Sequence, residues 1–552
     1  MNSQSSPPTD AAKPLTELGA AELARGVRAG QFSAVEVFEA HRARIEAVNP
    51  QLNAVVVPLF DRARQQAESI DAARRRGEPL GPLAGVPLTV KECLDVAGTA
   101  SSLGVPQLAR RIAADDGPLV ARLCAAGAVV MGKTNLPQLA MYLETDGPMF
   151  GRTNNPWNPD RSPGGSSGGE AAILAAGGSA LGLATDAGGS IRQPAHCCGV
   201  HGFKPTSGRL TQADLPVTTT RSGEVLMPVN LAGLHAILQC GPMARRVEDL
   251  KLAMDVLATP DSNSPDPTVP PIQWPDADRV EVGRLKIGIY TDDGDFPVAP
   301  AIRRAIHEAA DALRATGAKV VPFTPPKVQH AMRIFRGLLF PDGGRAFQRM
   351  LGSTQLDPRL KQLMQGATLH NLLRPPMAWL LRLAGQDRAA DGVLSMGKLS
   401  ADAYRRKIAE RATYCAEFVD ALNRDRIDAI LCPPHAVPAP THGSGAYLGL
   451  LAAYSALYNL LGMPAGVVAA TRVRPGEETD RAVGRDKAEQ VAHEVEQGSR
   501  GLPIGVQVAA RYWREDIALR VMQTLEDHFR RQADYPLTPP EHATDKPGKA
   551  KR

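Results

Sequence analysis

The chain has little net charge for its length. Its 552 residues include 63 lysines and arginines against 58 aspartates and glutamates, a formal net charge of +5. Proteins that bind nucleic acid through its phosphates concentrate basic residues on one surface, and so small an excess does not indicate such a surface. Nucleic acid is therefore not expected as a partner.

Cysteines are also few and irregularly spaced. There are seven of them, an odd number, and the N-terminal segment MNSQSSPPTDAAKP lacks the charged-then-apolar order of a signal peptide. The sequence therefore predicts free thiols and a cytoplasmic protein without a signal peptide. The segment HCCGVH at 196–201 contains two histidines, but adjacent cysteines suit a closed tetrahedral zinc site poorly. We expect no metal, and no dinucleotide fingerprint indicates another cofactor.

Long apolar runs are nearly absent. One uncharged segment, residues 443–470, is long enough to cross a bilayer, which takes about 20 residues. Ser455, Asn459 and Pro464 interrupt it, so we predict no transmembrane helix. The pattern favours a buried helix from about Leu448 to Leu461, followed by a buried strand, AGVVAA.

Strand and helix patterns alternate through much of the chain. RLKIGIYTDDG and KVVPF are typical of strands, and between them APAIRRAIHEAADALRATGA predicts an amphipathic helix ending at Gly317. This succession is expected of α/β packing with a partly parallel sheet. The length alone does not decide between one large domain and two or more domains.

Glycine and serine are concentrated in one stretch, SPGGSSGGEAAILAAGGSALGLATDAGGSIRQP, residues 162–194. A phosphate loop is disfavoured because Glu170 stands where a cation is required. A linker is disfavoured because apolar segments follow both glycine-rich loops. Close backbone packing without a catalytic role stays open, since glycine permits close approach.

The remaining interpretation is a nucleophile loop in DAGGSI. Ser190 would attack a carbonyl carbon, and glycines beside it would let backbone N–H groups converge on the developing oxyanion. The expected donors are the N–H groups of Ala187, Gly188, Gly189 and Ser190. A serine needs a base to take its proton, usually a histidine, and the residues alone do not identify one.

The block from GGSSGG to GFKPT, residues 164–206, resembles the signature of the amidase signature family. The match includes both glycine-serine loops and the Asp186 and Arg192 that flank the second serine. It implies a single large α/β domain over residues 13–535, with a signature core at about 85–210 and a twisted mixed β-sheet covered by helices on both sides. Residues 1–12 and 536–552 are expected to be flexible tails.

The resemblance also implies a Ser-Ser-Lys triad in place of Ser-His-Asp. Ser190 matches the nucleophile and Ser166 the bridging serine, while PLTVKECLDVAG is similar to the element that supplies the base and places it at Lys91. The flanking Asp186 and Arg192 are expected to support the loop.

A lysine acts as a base near neutral pH only when its surroundings lower its pKa. We therefore expect the two acidic residues closest to the motifs, Glu92 and Glu170, to point away from Lys91.

Several segments are more similar to the fatty acid amide hydrolase branch of the family than to its amidotransferase members, among them KECLDVAG and YSALYNLLGMPAGVV. That branch implies hydrolysis of N-acyl amides with hydrophobic acyl chains to free acid and amine. Three alternatives stay open: an amidase for small, aryl or peptide amides, an amidotransferase subunit that releases ammonia, and a non-catalytic binding protein.

The segment LHNLLRPPMAWLLRLAG, residues 369–385, is apolar and contains Trp379, Arg374 and Arg382. This composition suits a helix at a membrane surface, and the family's membrane-docking cap falls in about the same region. A helix that only covers the substrate channel, or one at a subunit contact, is the alternative. The family often forms dimers, so a homodimer is also expected.

Overall fold

The computed structural model describes residues 13–215, 218–219, 225–226, 234–260, 266, 268–449 and 452–540. Residues 1–12 and 541–552 lie outside the described residues, so flexible tails there stay a prediction. Residues 536–540 are described and contain no helix or strand.

Thirteen strands are found in the described part of the chain: β1 Val55–Pro58, β2 Pro87–Lys91, β3 Val129–Thr134, β4 Leu181–Asp186, β5 His201–Lys204, β6 Thr218–Thr219, β7 Val225–Leu226, β8 Gln239–Ala244, β9 Lys286–Ile289, β10 Lys319–Pro322, β11 Ala429–Cys432, β12 Ala465–Arg472 and β13 Pro503–Ala510.

Eighteen α-helices accompany them over the same residues: α1 Ala20–Ala29, α2 Ala34–Leu52, α3 Phe60–Arg75, α4 Pro118–Ala125, α5 Gly168–Ala175, α6 Arg192–Cys198, α7 Val247–Leu257, α8 Pro300–Ala315, α9 Val328–Leu339, α10 Arg345–Leu351, α11 Lys361–Thr368, α12 Arg374–Leu383, α13 Asp387–Ser395, α14 Ala401–Asp425, α15 Gly445–Leu448, α16 Ala453–Leu461, α17 Lys487–Glu496 and α18 Glu515–Phe529.

Eleven of the strands form one sheet, in the order β1-β3-β2-β4-β8-β5-β12-β13-β11-β9-β10. Pairing is parallel along β3-β2-β4 and along β11-β9-β10, and antiparallel at the other junctions. The predicted mixed sheet in a single α/β domain is therefore confirmed.

Both faces of this sheet are covered. Successive side chains of a strand point to opposite faces, and every residue of β2, β3, β4 and β13 is buried. Full burial of this kind requires packing on both sides of the sheet. The helices α6, α8 and α18, for example, all pack against β13.

Local predictions were mostly confirmed, with one correction. The strands β9, β10 and β12 and the amphipathic helix α8 form where their patterns predict them. The single helix predicted from about Leu448 to Leu461 was wrong, because α15 ends at Leu448 and α16 begins at Ala453. Gly449, a poor helix residue, follows α15 directly. The C-terminal end is correct, since Gly462 takes the left-handed conformation that terminates α16.

The topology brings two of the predicted site residues to one edge of the sheet. Strands β2 and β4 are parallel neighbours, so their carboxyl ends lie at the same edge. Lys91 is the last residue of β2, and Asp186 is the last residue of β4. Open sheets generally bind ligands outside the carboxyl ends of parallel strands.

Candidate active site

Lys91 lies at the carboxyl end of β2 and is completely buried. Its Nζ lies 2.7 Å from Ser166 Oγ and 3.0 Å from Thr185 Oγ1, both within hydrogen-bond distance. Ser166 is separated from Lys91 by 75 residues of sequence, so the fold creates this contact. A lysine amine and a serine hydroxyl are thus positioned for direct proton transfer.

No carboxylate lies within ion-pair distance of Lys91 among the described residues. Burial lowers the pKa of Lys91, because the surrounding protein solvates an ammonium ion poorly. Nearby groups, Cys93 first and then Asp186, act in the opposite direction without reversing the shift. The site therefore favours the neutral amine that a base requires.

The two acidic residues that could have kept Lys91 protonated are bound elsewhere. Glu92 accepts hydrogen bonds from the N–H and the hydroxyl of Ser102, both at 2.6 Å. Glu170, in the first turn of α5, accepts from the hydroxyls of Thr89 and Thr134. Burial raises the pKa of Glu170 to about 7, so near neutral pH it carries only part of a negative charge.

The two glycine-serine loops contact each other directly. The N–H of Ser167 donates to the carbonyl oxygen of Ser190 at 3.2 Å. The N–H of Gly165 donates to Gln193 Oε1 at 2.8 Å, which ties the first loop to α6. These bonds fix the position of Ser166 relative to the loop that carries Ser190.

Asp186 organises the loop around Ser190. Its carboxylate accepts from the N–H groups of Gly189 at 2.7 Å and Ile191 at 3.1 Å, and from Arg192 Nε at 3.0 Å. Asn459 donates to its Oδ1 at 2.9 Å. Burial opposes the charge of Asp186, but Arg192 and the other donors hold the pKa of this carboxyl well below its usual range. Removing one member of such a buried ion pair typically costs about 3–5 kcal/mol of unfolding free energy.

Three of the four N–H groups predicted to bind the oxyanion have no hydrogen-bond acceptor among the described residues. Over the described residues, the backbone N–H groups of Ala187, Gly188 and Ser190 have no hydrogen-bond acceptor. Gly189 differs, because its N–H already donates to Asp186. Its φ of +113° favours glycine, and a Cβ there would lie 2.7 Å from the Cβ of Ser455. Gly189 thus shapes the loop, and its N–H is not free to receive an oxyanion.

Ser190 lines two cavities. The larger, of about 310 Å³, also contacts Ala187 and Gly188 and is walled mainly by apolar residues of α9, α11, α13 and α16. The smaller, of about 50 Å³, is lined by both Ser166 and Ser190. The hydroxyl of Ser190 therefore borders both a hydrophobic substrate-sized space and the Ser166 side of the site.

Three supporting residues were missed by the sequence predictions. They are Thr185, which contacts Lys91; Gln193, which holds the first loop; and Asn459, which binds Asp186. Thr185 and Gln193 lie within residues 164–206, the block that resembles the family signature, and their place in that block was the available signal. Asn459 comes from α16, and the available signal was that it is one of the polar residues in the apolar run at 443–470.

The described residues include no group of three or more histidines, cysteines or acidic residues arranged to hold a metal ion. In HCCGVH, His196 Nδ1 accepts from the N–H of Gly505 at 3.0 Å, and His201 Nδ1 accepts from the N–H of Ala469 at 3.2 Å. Both rings therefore take part in the packing of β5 and α6 against neighbouring strands.

Of the helices in the described ranges, none combines the length and apolarity needed to cross a membrane. The cytoplasmic location stays a prediction.

Comparison with known proteins places the chain in a family. The family model described as Amidase matches residues 36–519. Fatty acid amide hydrolase 1 of Caenorhabditis elegans is 32% identical over 521 residues, covering 92% of this chain and 87% of the relative. A glutamyl-tRNA(Gln) amidotransferase subunit of a Synechococcus strain is 31% identical over 532 residues, covering 95% and 99%.

A solved structure of a fatty acid amide hydrolase superposes with a TM-score of 0.78 at 27% identity, covering 93% of this chain and 85% of that one. The family model and the extent of these matches agree with the arrangement of the glycine-serine loops described above. The chain therefore belongs to the amidase signature family and is an amide hydrolase.

Proposed function

We propose that this chain hydrolyses hydrophobic N-acyl amides to a free acid and an amine through an acyl-enzyme, with Lys91, Ser166 and Ser190 as the catalytic triad. The observation that carries the proposal is the hydrogen-bond contact between Lys91 and Ser166 beside a serine that borders a large apolar cavity. Membership of the amidase family accounts for an amide substrate, and the mainly apolar lining of the cavity supports an apolar acyl group.

In the first half of the proposed reaction, neutral Lys91 takes a proton from Ser166 while Ser166 takes one from Ser190. The Ser190 oxygen then forms a bond to the amide carbon, and the carbonyl oxygen becomes an oxyanion. The unoccupied N–H groups of Ala187, Gly188 and Ser190 would stabilise that charge.

In the second half, the carbon–nitrogen bond breaks as Ser166 gives a proton to the departing nitrogen and Lys91 returns one to Ser166. Protonation is required because an amide anion is a very poor leaving group. Water then attacks the ester of Ser190 with the same base, which releases the acid and restores the serine.

The chain-length dependence of the rate tests the substrate class. We expect kcat/KM for primary amides to rise roughly two- to fourfold for each added methylene until the cavity is filled, since each buried methylene contributes about 0.8 kcal/mol. Hydrolysis rates for amides of two to sixteen carbons measure this dependence. A flat or falling dependence would assign the enzyme to small, aryl or peptide amides instead.

A second candidate function is ammonia release within an amidotransferase, favoured by the similarity to the Synechococcus protein over nearly its whole length. Free glutamine is polar at its α-carbon, whereas the cavity beside Ser190 is mainly apolar. The same assay therefore includes glutamine. Glutamine turnover faster than that of any fatty amide would favour the amidotransferase function.

We also propose that the apolar surface on α12 and the turn before it contacts a lipid surface. Its exposed fractions are 78% for Leu372, 60% for Trp379 and 63% for Leu383. This helix packs against α13, which lines the cavity, so the surface lies close to the substrate space. Of the two arginines in the segment, Arg374 is buried, whereas Arg382 is exposed and pairs with Asp391 at 3.0 Å. The exposed apolar side chains would form most of the contact.

Substitution of this surface tests the lipid contact. We expect Trp379→Ser with Leu380→Ser to reduce binding to phosphatidylcholine vesicles by about tenfold or more, because two large apolar side chains are lost. Co-sedimentation with vesicles measures the bound fraction. Ile112→Ser, at an exposed residue outside this surface, is the control. Equal binding by all three proteins would indicate that α12 only covers the channel or lies at a contact between protomers.

The homodimer stays a proposal that rests on the family resemblance. Sedimentation equilibrium of the purified chain tests it directly.

A further inference from the structure

The large cavity beside Ser190 has an unequal distribution of charge. Its lining contains two arginines, Arg336 and Arg359, and none of its described lining residues is an aspartate or glutamate. The remaining walls are mostly apolar. An uncompensated cation in such surroundings is costly, so the partners of each arginine decide whether the cavity carries a net charge.

Arg359 is fully compensated within the protein. Its guanidinium pairs with Asp357 at 2.8 Å and with Asp146. Burial alone would lower its pKa, but these two carboxylates raise the pKa of Arg359 above its ordinary value. This arginine therefore contributes little positive charge to the cavity.

Arg336 has no such partner. It lies on α9, on the same face as Met332 and Leu339, which also line the cavity. Within the described ranges its single hydrogen bond runs from Nε to Ser395 Oγ at 3.2 Å, and no carboxylate lies within ion-pair distance. Burial lowers the pKa of Arg336, yet a guanidinium stays protonated at neutral pH.

Two carboxylates, those of Asp295 and Asp391, raise the pKa of Arg336 without forming an ion pair with it, and both are engaged by other groups. Asp391 pairs with Arg333 at 2.8 Å and with Arg382 at 3.0 Å. Asp295 accepts a hydrogen bond from Gln329 at 3.2 Å. Since its one hydrogen bond comes from Nε, the terminal nitrogens of Arg336 have no acceptor among the described residues.

A second donor in the same cavity also lacks an acceptor. The hydroxyl of Tyr142 is buried and donates to no acceptor among the described residues. Burial raises the pKa of Tyr142, so the phenol stays protonated and can donate. Buried donors without acceptors are uncommon in folded proteins, and a bound ligand is one way to satisfy them.

We propose that the preferred substrate is a hydrophobic amide that carries a carboxylate, and that Arg336 binds this carboxylate while the apolar walls hold the hydrocarbon part. The inference rests on the proposed function and narrows its substrate class. A planar guanidinium matches a carboxylate with two parallel hydrogen bonds, and a largely apolar cavity strengthens the pair because water competes weakly there. Tyr142 offers a further donor to the same ligand.

Binding of matched acid and neutral probes to Ser190→Ala protein tests the proposal without turnover. One pair, dodecanoylglycine and dodecanoylglycinamide, places the carboxylate on the amine part. The other, the monoamide of dodecanedioic acid and dodecanamide, places it at the end of the acyl chain. We expect the acid of at least one pair to bind roughly ten- to a hundredfold more tightly than its neutral partner by isothermal titration calorimetry.

Three variants on the same Ser190→Ala background assign that preference to Arg336. Arg336→Gln should abolish the preference for the acid probe while changing the Kd of the neutral probe by less than about threefold. Arg336→Lys should retain part of that preference. Arg345→Gln, at an exposed residue of α10 outside the cavity lining, should leave the acid preference intact.

Equal binding within both pairs, no binding of any probe, or equal weakening of acid and neutral probes by Arg336→Gln would overturn the proposal. Hydrolysis of dodecanamide by protein with Ser190 intact tests the proposed function separately. A fatty amidase without acid preference would therefore be distinguished from a protein that is not a fatty amidase.

Discussion

Replacing Ser190 with alanine is expected to reduce amide hydrolysis to the background rate, a loss on the order of 10⁶-fold, as when the nucleophile of a serine hydrolase is removed. Without its hydroxyl no acyl-enzyme can form, although the cavity and the N–H groups of the loop remain. Steady-state rates with a fatty amide measure the loss. Urea unfolding should show nearly unchanged stability, since Ser190 is partly exposed and its side chain makes no hydrogen bond with the described residues.

Ser167→Ala is the matched control, because Ser167 lies beside Ser166 and its hydroxyl donates, among the described residues, to the carbonyl oxygen of Thr185 alone, at 3.3 Å. We expect it to reduce the rate by less than about tenfold, roughly the loss of one hydrogen bond. A Ser190→Ala enzyme that kept activity within a hundredfold of the original would exclude Ser190 as the nucleophile.

Replacing Lys91 with methionine is expected to lower kcat by about 10²- to 10⁴-fold, the usual contribution of a general base. Methionine is apolar and suits the fully buried position, so the fold should persist. The dependence of kcat/KM on pH is a second test of the role of Lys91. Neutral lysine is the active form, so kcat/KM should rise with pH through the lowered pKa of Lys91 and then level off. That rising limb should be absent from the methionine variant.

Glu170→Gln tests whether the rise of kcat/KM with pH comes from Lys91. The carboxylate of Glu170 favours the protonated lysine, so its removal should lower the pKa of Lys91 further and move the limb toward lower pH. A pH profile unchanged by both substitutions would show that a different group titrates, and Lys91 would not be the base.

The fold could be predicted where the sequence carries local signals. Periodicity and glycine positions located α8, the strands on either side of it, and the end of α16 at Leu461. The break between α15 and α16 was missed, because a continuous apolar run does not distinguish one helix from two. The order of the eleven strands depends on pairing between distant segments, which local patterns do not contain.

The candidate site was likewise predictable only in part from the sequence. Ser190 and its loop could be inferred from the chemistry of glycine and serine, whereas Lys91 required the family resemblance because it lies far upstream in the sequence. Partners that arrive from other elements were not predictable. Asn459, for example, reaches Asp186 across 273 residues of sequence. The sequence likewise does not distinguish Arg336, which lines the cavity without a carboxylate partner among the described residues, from an ordinary surface arginine.

Mass-spectrometric mapping of a fluorophosphonate adduct tests the central claim most directly. The serine oxygen displaces fluoride from phosphorus and leaves a tetrahedral adduct on the activated serine, so we expect one adduct per chain, on the peptide that contains Ser190. Labelling should be slowed strongly in Lys91→Met protein and be absent in Ser190→Ala protein. An adduct on any other residue, or equal labelling of all three proteins, would contradict catalysis through Ser190 activated by Lys91.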